Sequence, residues 1–395
     1  MKDILRVQNR ILIIYLLISF LGILNIFSVS RSFGSYLFIR HLIYFGIGFF
    51  LLIIFSRISI PRWREFYYLF FLAGTFLLLL VLIKEEGIKR WLYIGNFSFQ
   101  VSDAVKPLFI YFYSMNCSFI KNGNYFKSFK TFTLYLIPFF LILFEPDLGS
   151  ALFYLFLFGV YVLVLNFTLG VKLFFIFSFL SMIFSFNFIS FFVFSVVSFL
   201  LVFLIKSFKA SDRILLSLAI LMPGLTVPFI YNNVLKEYQR KRLKYFLNPA
   251  DDPKGAGWQV LQGQLAIGSG GVFGKGFLKG SHKSLAFLPQ AYSDFAFASF
   301  AEEFGFLGSL FLILLYFFLL ISLLNLSKEK EGFETFFILG TFSSIFYAFF
   351  VNIGGVLGLL PITGIPLTFF SYGGTNFIIN SILLGVSLSF TRKSY

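Results

Sequence analysis

Charged and glycine-rich segments that interrupt otherwise apolar sequence are where this chain could do chemistry, because an ionisable residue in apolar surroundings is costly unless it has a task. Four such clusters occur. The first runs Arg90-Trp91-Leu92-Tyr93-Ile94-Gly95 and on through Phe99-Gln100-Val101-Ser102-Asp103-Ala104-Val105-Lys106. Asp103 and Lys106 stand three residues apart, so on a helix they meet and pair, while Ser102 is of the type that caps such a helix. The second, Glu145-Pro146-Asp147-Leu148-Gly149-Ser150, sets two carboxylates at a break between apolar runs, which a simple turn explains equally well. The third is the polar stretch 233–293, with Tyr238-Gln239-Arg240-Lys241-Arg242, Asp252-Pro253-Lys254-Gly255-Ala256-Gly257 and Ala266-Ile267-Gly268-Ser269-Gly270-Gly271-Val272-Phe273-Gly274-Lys275-Gly276. Glycines let backbone amides approach an anion and the cations add charge, a combination that suits a pyrophosphate-bearing lipid. The stretch runs out through Pro289-Gln290-Ala291-Tyr292-Ser293-Asp294 into Ala301-Glu302-Glu303-Phe304-Gly305. Asp294 opens a helix, where the dipole and free amides stabilise a carboxylate whether or not it is catalytic. At about 100° per residue, Glu302 and Glu303 cannot both face the same site, so at most one serves the chemistry. The fourth cluster is Asn352-Ile353-Gly354-Gly355-Val356-Leu357-Gly358-Leu359-Leu360-Pro361-Ile362-Thr363-Gly364-Ile365-Pro366-Leu367, then Phe370-Ser371-Tyr372-Gly373-Gly374-Thr375.

The elements that must position these residues are membrane spans. Of 395 residues, 58% are hydrophobic and 12% charged, which excludes a soluble globule. A bilayer core of about 30 Å needs roughly 20 apolar residues per helix, and many runs of that size occur between short charged loops. They are apolar on every side, as helices are and barrel strands are not. The run 11–27 lacks a cleavage site and is read as an anchor. Twelve helices are expected, at 11–28, 41–55, 65–83, 103–120, 131–146, 149–166, 172–187, 190–206, 214–232, 294–325, 334–352 and 368–391. Basic residues gather at 2–10, 57–64, 121–130, 172, 206–213, 328–330 and 392–393, and are fewer in the alternate loops 29–41 and 84–102, so both termini are expected in the cytoplasm. That orientation puts all four clusters at the outer face and makes 233–293 one large extracytoplasmic loop. The Gly and Pro content of the fourth cluster breaks helical structure at membrane depth, which is tolerated only inside protein or along a cavity, so a re-entrant segment is expected. With no repeat and no linker, residues 1–395 form one membrane-embedded domain. The net charge of +15 sits in loops between spans and calls for no nucleic acid. The single cysteine, Cys117, and two distant histidines, His41 and His282, offer no disulfide and no zinc cluster, and the 64 phenylalanines are too evenly spread to form an aromatic cage. No nucleotide-binding loop is present, which argues against an ATP-driven pump.

These clusters, in this order, resemble the SEDS family (shape, elongation, division, sporulation) of peptidoglycan glycosyltransferases. The stretch 266–271 with Gly274-Lys275-Gly276, and Gly364-Ile365-Pro366-Leu367, look more like its RodA branch than like FtsW. The resemblance implies polymerisation of lipid II, an undecaprenyl-pyrophosphate disaccharide pentapeptide, into β-1,4 glycan during elongation, outside the bacterial plasma membrane and with inversion at the anomeric carbon. It implies a complex with a class B penicillin-binding protein and other elongation-complex membrane proteins. The family's essential loop aspartate matches Asp294, expected as general base, with Glu302 as reserve; its Glu and Lys pair matches Asp103 and Lys106. Substrate contacts are expected from Arg90, Gln100, Asp103, Lys106, Arg240, Lys275, Glu302 and Ser371. No cofactor is expected, a divalent cation being left open. The sequence departs from the family pattern at Val101 (usually proline), Asp103 (usually glutamate), Pro107 after the lysine, expected to bend its helix early, Gln290-Ala291-Tyr292 (usually Glu-Arg-His) and Gly263 (commonly serine). Family members typically have ten spans, so 172–206 reads as an inserted helix pair; an odd insertion would carry Asp294 to the wrong side.

Two rivals belong to other classes. A transporter or flippase of the lipid-linked precursor also needs broken helices, but it needs a polar path across the membrane, whereas these polar clusters keep to one face. A non-enzymatic scaffold predicts that replacing Asp294 changes nothing.

Overall fold

In a bilayer each backbone N–H and C=O has to be satisfied within the chain, so apolar runs of this length settle as helices. A computed structural model describes residues 2–58, 65–83, 90–94, 97–119, 125–165, 169–185, 188–205, 208–233, 255–281 and 290–391, with Phe167, Glu237, Arg240, Lys241, Tyr245 and Phe246. In order the elements are α1 (Lys2–Phe33), α2 (Tyr36–Arg57), α3 (Tyr67–Ile83), the strands β1 (Trp91–Ile94) and β2 (Phe97–Gln100), and α4 (Val101–Ala104). There follow α5 (Lys106–Phe119), α6 (Tyr125–Phe144), α7 (Leu148–Val164), α8 (Leu169–Phe184), α9 (Phe188–Leu204) and α10 (Ala210–Asn233). The last are α11 (Ala256–Ser269), α12 (Ala296–Lys328), α13 (Phe333–Val356) and α14 (Gly374–Ser389).

Five of these, α1, α2, α10, α12 and α13, are long and apolar enough to cross a membrane alone, and shorter apolar helices stand beside them. The chain is an all-α, multi-pass membrane protein. Its main core draws on α1, α5, α7, α12, α13 and α14, through residues such as Tyr15, Phe109, Tyr154, Tyr316, Ile338 and Leu384. A second, small core of Val202, Phe208, Leu216 and Ile220 holds α8, α9 and α10 together, and the Ser181 hydroxyl of α8 donates to the Ile220 carbonyl of α10. The outward faces of α2 and α9 carry exposed Phe50, Phe192 and Leu200, the apolar surface a lipid-facing helix presents.

Three departures from regular helix shape the site. The span expected at 103–120 is two helices, interrupted at Val105, whose carbonyl receives the amides of both Leu108 and Phe109. Pro107 stands at the start of the second piece, where its missing N–H costs least. The helix α12 is also two pieces, joined at Gly305 with φ 66° and ψ −163°. Residues 271–276 lie against this break as a glycine-rich turn, with positive φ at Gly271, Gly274 and Gly276: Lys275 and Gly276 amides donate to the Glu302 and Glu303 carbonyls, and Phe306 and Leu307 amides donate to the Gly271 and Val272 carbonyls. Gly274 (φ 82°) allows the approach, since a Cβ there would lie 2.0 Å from the Glu303 carbonyl oxygen. The third departure is the irregular segment 357–373 between α13 and α14, where a re-entrant element is expected; its part from Leu367 to Ser371 is buried. Its polar backbone is satisfied locally: Leu359 and Leu360 amides donate to Gly354, and the Tyr316 hydroxyl donates to the Thr368 carbonyl.

Candidate active site

The first two clusters are tied into one knot. The strands β1 and β2 pair antiparallel with Trp91 opposite Gln100, which brings the chain back to Arg90, whose carbonyl accepts from the Val101 amide. The Gln100 amide side chain then donates to Asp147 Oδ2 at 2.7 Å, and the Ser102 hydroxyl donates to the same oxygen at 3.3 Å. Asp147 Oδ1 receives the Ser150 amide and caps α7. Ser102 is thus not a helix cap: the residue before α4 is Gln100, without a side-chain cap bond, because Asp147 takes the serine hydroxyl instead. The Arg90 guanidinium donates to the carbonyls of Glu145 and Pro146, holding the turn between α6 and α7 from outside. Within that turn Glu145 is fully buried and neither carboxyl oxygen has a hydrogen-bond partner among the described residues. Burial first, then the adjacent Asp147 charge, against the opposing pull of Arg90, pushes its carboxyl up to about 8.

Asp103 and Lys106 pair at 2.6 Å with both side chains buried, and the ammonium also lies over the Phe153 ring, 4.9 Å from its centre. A buried ion pair is tolerated when each charge has a partner, and the aromatic face adds a second one for the cation.

Asp294 lies in the turn Gln290–Phe295, two residues before α12 begins, with Phe295 at the cap position. The turn is fastened at several points. The Ser299 hydroxyl donates to the Ala291 carbonyl, the Tyr372 amide to the Tyr292 carbonyl, and the Asn352 side chain to the Asp294 carbonyl. Phe295 packs over Gly263, where a Cβ would meet its ring at 2.8 Å. Asp294 is half-buried and lines a small cleft of about 10 Å³ with Asn352, Gly355, Thr363, Gly364 and Ile365. Tyr292 meets Tyr372 edge to face at 5.7 Å.

Contacts run from this cleft to the knot. Gly149, beside the Asp147 cap, packs so closely on Thr363 of the cleft that a Cβ would lie 2.9 Å away, and its carbonyl receives the Tyr347 hydroxyl. The Gln100 amide donates to Thr375, three residues from Tyr372. The fourth cluster therefore stands between the first two clusters and Asp294. Ser371 is buried in it, its hydroxyl accepting from the Leu367 amide.

Lys275 and Glu302 meet elsewhere, at the break in α12. Glu302 Oε1 accepts from Lys275 Nζ at 2.6 Å, from the Ser281 amide at 2.8 Å and from its hydroxyl at 2.9 Å. Glu303 Oε1 accepts from the Ser28 hydroxyl of α1 and from the Gly280 amide. Both glutamates thus hold one loop, because it crosses the helix and offers them successive amides. The glycine-rich amides at 275 and 276 are likewise bonded to helix carbonyls. Arg240 is half-buried; much of its stretch, with Lys254 and Arg242, lies outside the described residues, as do His282 and Pro289. Among the described residues no group of three metal-ligating side chains gathers.

Asp147 and Asn352 are the organising residues that sequence reasoning passed over. Both were in view within their motifs, but the first read as turn chemistry and the second as part of a helix-breaking run. Their tasks depend on partners 45 and 58 residues away.

A family model described as a cell cycle protein of the FtsW, RodA and SpoVE type matches residues 8–200 and 190–395. The peptidoglycan glycosyltransferase RodA of Treponema pallidum is 30% identical over 97% of this chain and 97% of its own length. A probable peptidoglycan glycosyltransferase FtsW of Wigglesworthia glossinidia brevipalpis is 31% identical over 91% and 87% respectively, so RodA and FtsW relatives match about equally. A solved chain described under "Structural coordination of polymerization and crosslinking by a peptidoglycan synthase complex" superposes with a TM-score of 0.70 at 25% identity, covering 96% of each chain. The rod shape determining protein RodA of Thermus thermophilus shares the fold, with a TM-score of 0.61 at 22% identity and 96% of this chain covered. With the family model spanning nearly its whole length and its polar clusters joined as described, this chain belongs to the FtsW/RodA/SpoVE, or SEDS, family.

Proposed function

We propose that this protein polymerises lipid II into β-1,4 glycan at the outer face of the bacterial plasma membrane during elongation. The observation that carries the reading is a carboxylate, Asp294, at a cleft joined through Thr363 and Gly149 to a knot holding a buried lysine. In this mechanism Asp294 takes the proton from the acceptor sugar hydroxyl as that oxygen attacks the anomeric carbon bearing pyrophosphate. Attack from the face opposite the leaving group inverts an α-linked donor into a β-linked product. Pyrophosphate is a good leaving group, so one base and a nearby cation suffice, without the second carboxyl that glycosidases use. Lys106 supplies that cation, with Arg90 and Arg240 further basic groups toward the lipid headgroup and Gln100, Asp103 and Ser371 polar contacts; the Lys275–Glu302 pair holds the glycine-rich loop on the break in α12 and is not among the contacts.

The relatives' names support a glycosyltransferase, and the solved synthase complex supports a crosslinking partner, for which we propose a class B penicillin-binding protein. Residues 1–395 act as one membrane domain, with 233–293 outside the cell, 172–206 an inserted helix pair and both termini in the cytoplasm. No cofactor enters the mechanism; repeating the assay with a chelator reads any divalent-cation requirement.

The test is polymerisation of purified lipid II by the full chain with its transpeptidase. General-base catalysis typically supplies about 10²- to 10⁴-fold, so Asp294→Asn should lose most activity while keeping the fold. Turnover by well-folded Asp294→Asn close to the unmodified rate would sink the assignment. Transport of lipid II across vesicles without polymer would favour the carrier reading.

A further inference from the structure

Asn352 lies four residues before the end of α13 and is buried. Its Nδ2 donates to two carbonyls from different parts of the chain, Asp294 at 3.1 Å and Ile365 at 2.9 Å. Two acceptors on one side fix which end of the amide is nitrogen, and so place Oδ1 on the other. That oxygen is buried and has no hydrogen-bond partner among the described residues. Leucine has nearly the same size but would leave both carbonyls without this donor, so packing alone does not account for asparagine here.

The two carbonyls belong to the two walls of the cleft. Asp294 comes from the turn that leads into α12, and Ile365 from the irregular segment after α13, next to Gly364 with φ 82°. Neither wall is regular secondary structure at that point, so no helix ladder sets their spacing. The Asn352 amide ties them together at Asp294 itself, with the Tyr372–Tyr292 backbone bond a second tie two residues away.

We propose that Asn352 is a positioning residue for Asp294, fixing where its carboxylate stands relative to the re-entrant wall of the cleft. The inference rests on the reading of Asp294 as general base. A reacting group displaced by about 1 Å can cost on the order of 10²-fold in rate, so the loss should appear in turnover and not in substrate affinity.

The experiment uses the full chain with its transpeptidase, purified lipid II as substrate, and separate determination of kcat and KM. Asn352→Ala is expected to lower kcat about ten- to hundredfold, with KM within roughly twofold and the thermal midpoint little changed. Should the alanine variant not fold, the near-isosteric Asn352→Leu replaces it with the same expectations. A second axis is Asp294→Glu, which keeps a base but moves it by one methylene. If Asn352 acts through Asp294, the two substitutions together cost clearly less than the product of their separate costs. Unchanged kcat for Asn352→Ala would overturn the proposal, as would a rise in KM alone or independent, multiplicative losses in the double variant. Near-normal activity of Asp294→Asn in the same assay identifies failure of the base reading itself, whereas an inactive Asp294→Asn beside a normal Asn352→Ala identifies failure of this inference alone.

Discussion

The Asp103–Lys106 pair shows how a side chain can be structural and functional at once. Both are buried at 2.6 Å separation, so removing one leaves the other charge uncompensated, which typically costs about 3 kcal/mol or more. Lys106→Met should therefore lose both polymerisation and thermal stability. Adding Asp103→Asn removes the stranded charge and should restore much of the melting temperature without restoring activity; recovery of activity as well would show that Lys106 does not serve the reaction. Glu145 makes a different prediction. Its carboxyl, pushed up to about 8 from an ordinary 4.5, binds its proton more tightly when folded than when unfolded. The stabilisation is complete below the ordinary value and is lost as pH rises through 8, so the melting temperature should fall between pH 5 and 9. Glu145→Gln should flatten that dependence. A melting profile that rises with pH in the parent and is unchanged in the variant would refute it. The pair at 103 and 106 was legible because three residues along a helix bring side chains together. The partners of Glu302 were not, since Lys275 and Ser281 lie 27 and 21 residues away and meet it only across a loop.

Helices were legible as elements, and the expected spans fall within a few residues of those observed for α2, α3, α7 and α13. The hairpin β1–β2 was not. Two strands of four residues are too short for an alternating pattern to stand out, and what defines them is that they return the chain to Arg90 and aim Gln100 at Asp147. The break in α12 escaped as well, because a glycine inside a helical pattern reads as a tolerated helix residue. The loop docked there makes a graded test. Gly274→Ala must adopt φ 82° and place its Cβ 2.0 Å from the Glu303 carbonyl, so it should destabilise by about 2 kcal/mol or more. Gly268→Ala, helical and with nothing near its Cβ, should be neutral or slightly stabilising. Equal melting temperatures for the two variants would mean that the loop does not clasp the helix as described.

For the whole molecule the prediction is orientation: reporter fusions at Lys209 and Lys330 should read cytoplasm and one near Lys254 the outside, as the loop-charge rule requires. A cytoplasmic signal at Lys254 would put the proposed active face on the wrong side. The sequence by itself determined that this is a multi-pass helical membrane protein, since hydrophobicity and span length are local properties summed along the chain. It also determined the order of the polar clusters, and with it the family resemblance. Only the tertiary structure decided what those clusters do to one another. It gives Ser102 to Asp147, closes the glycine-rich loop on a helix break, and hangs the Asp294 turn from Asn352. The reason is that a buried polar group takes whichever partner the fold brings within about 3 Å, and in an apolar interior the identity of that partner depends on contacts far apart in sequence, which no local pattern encodes.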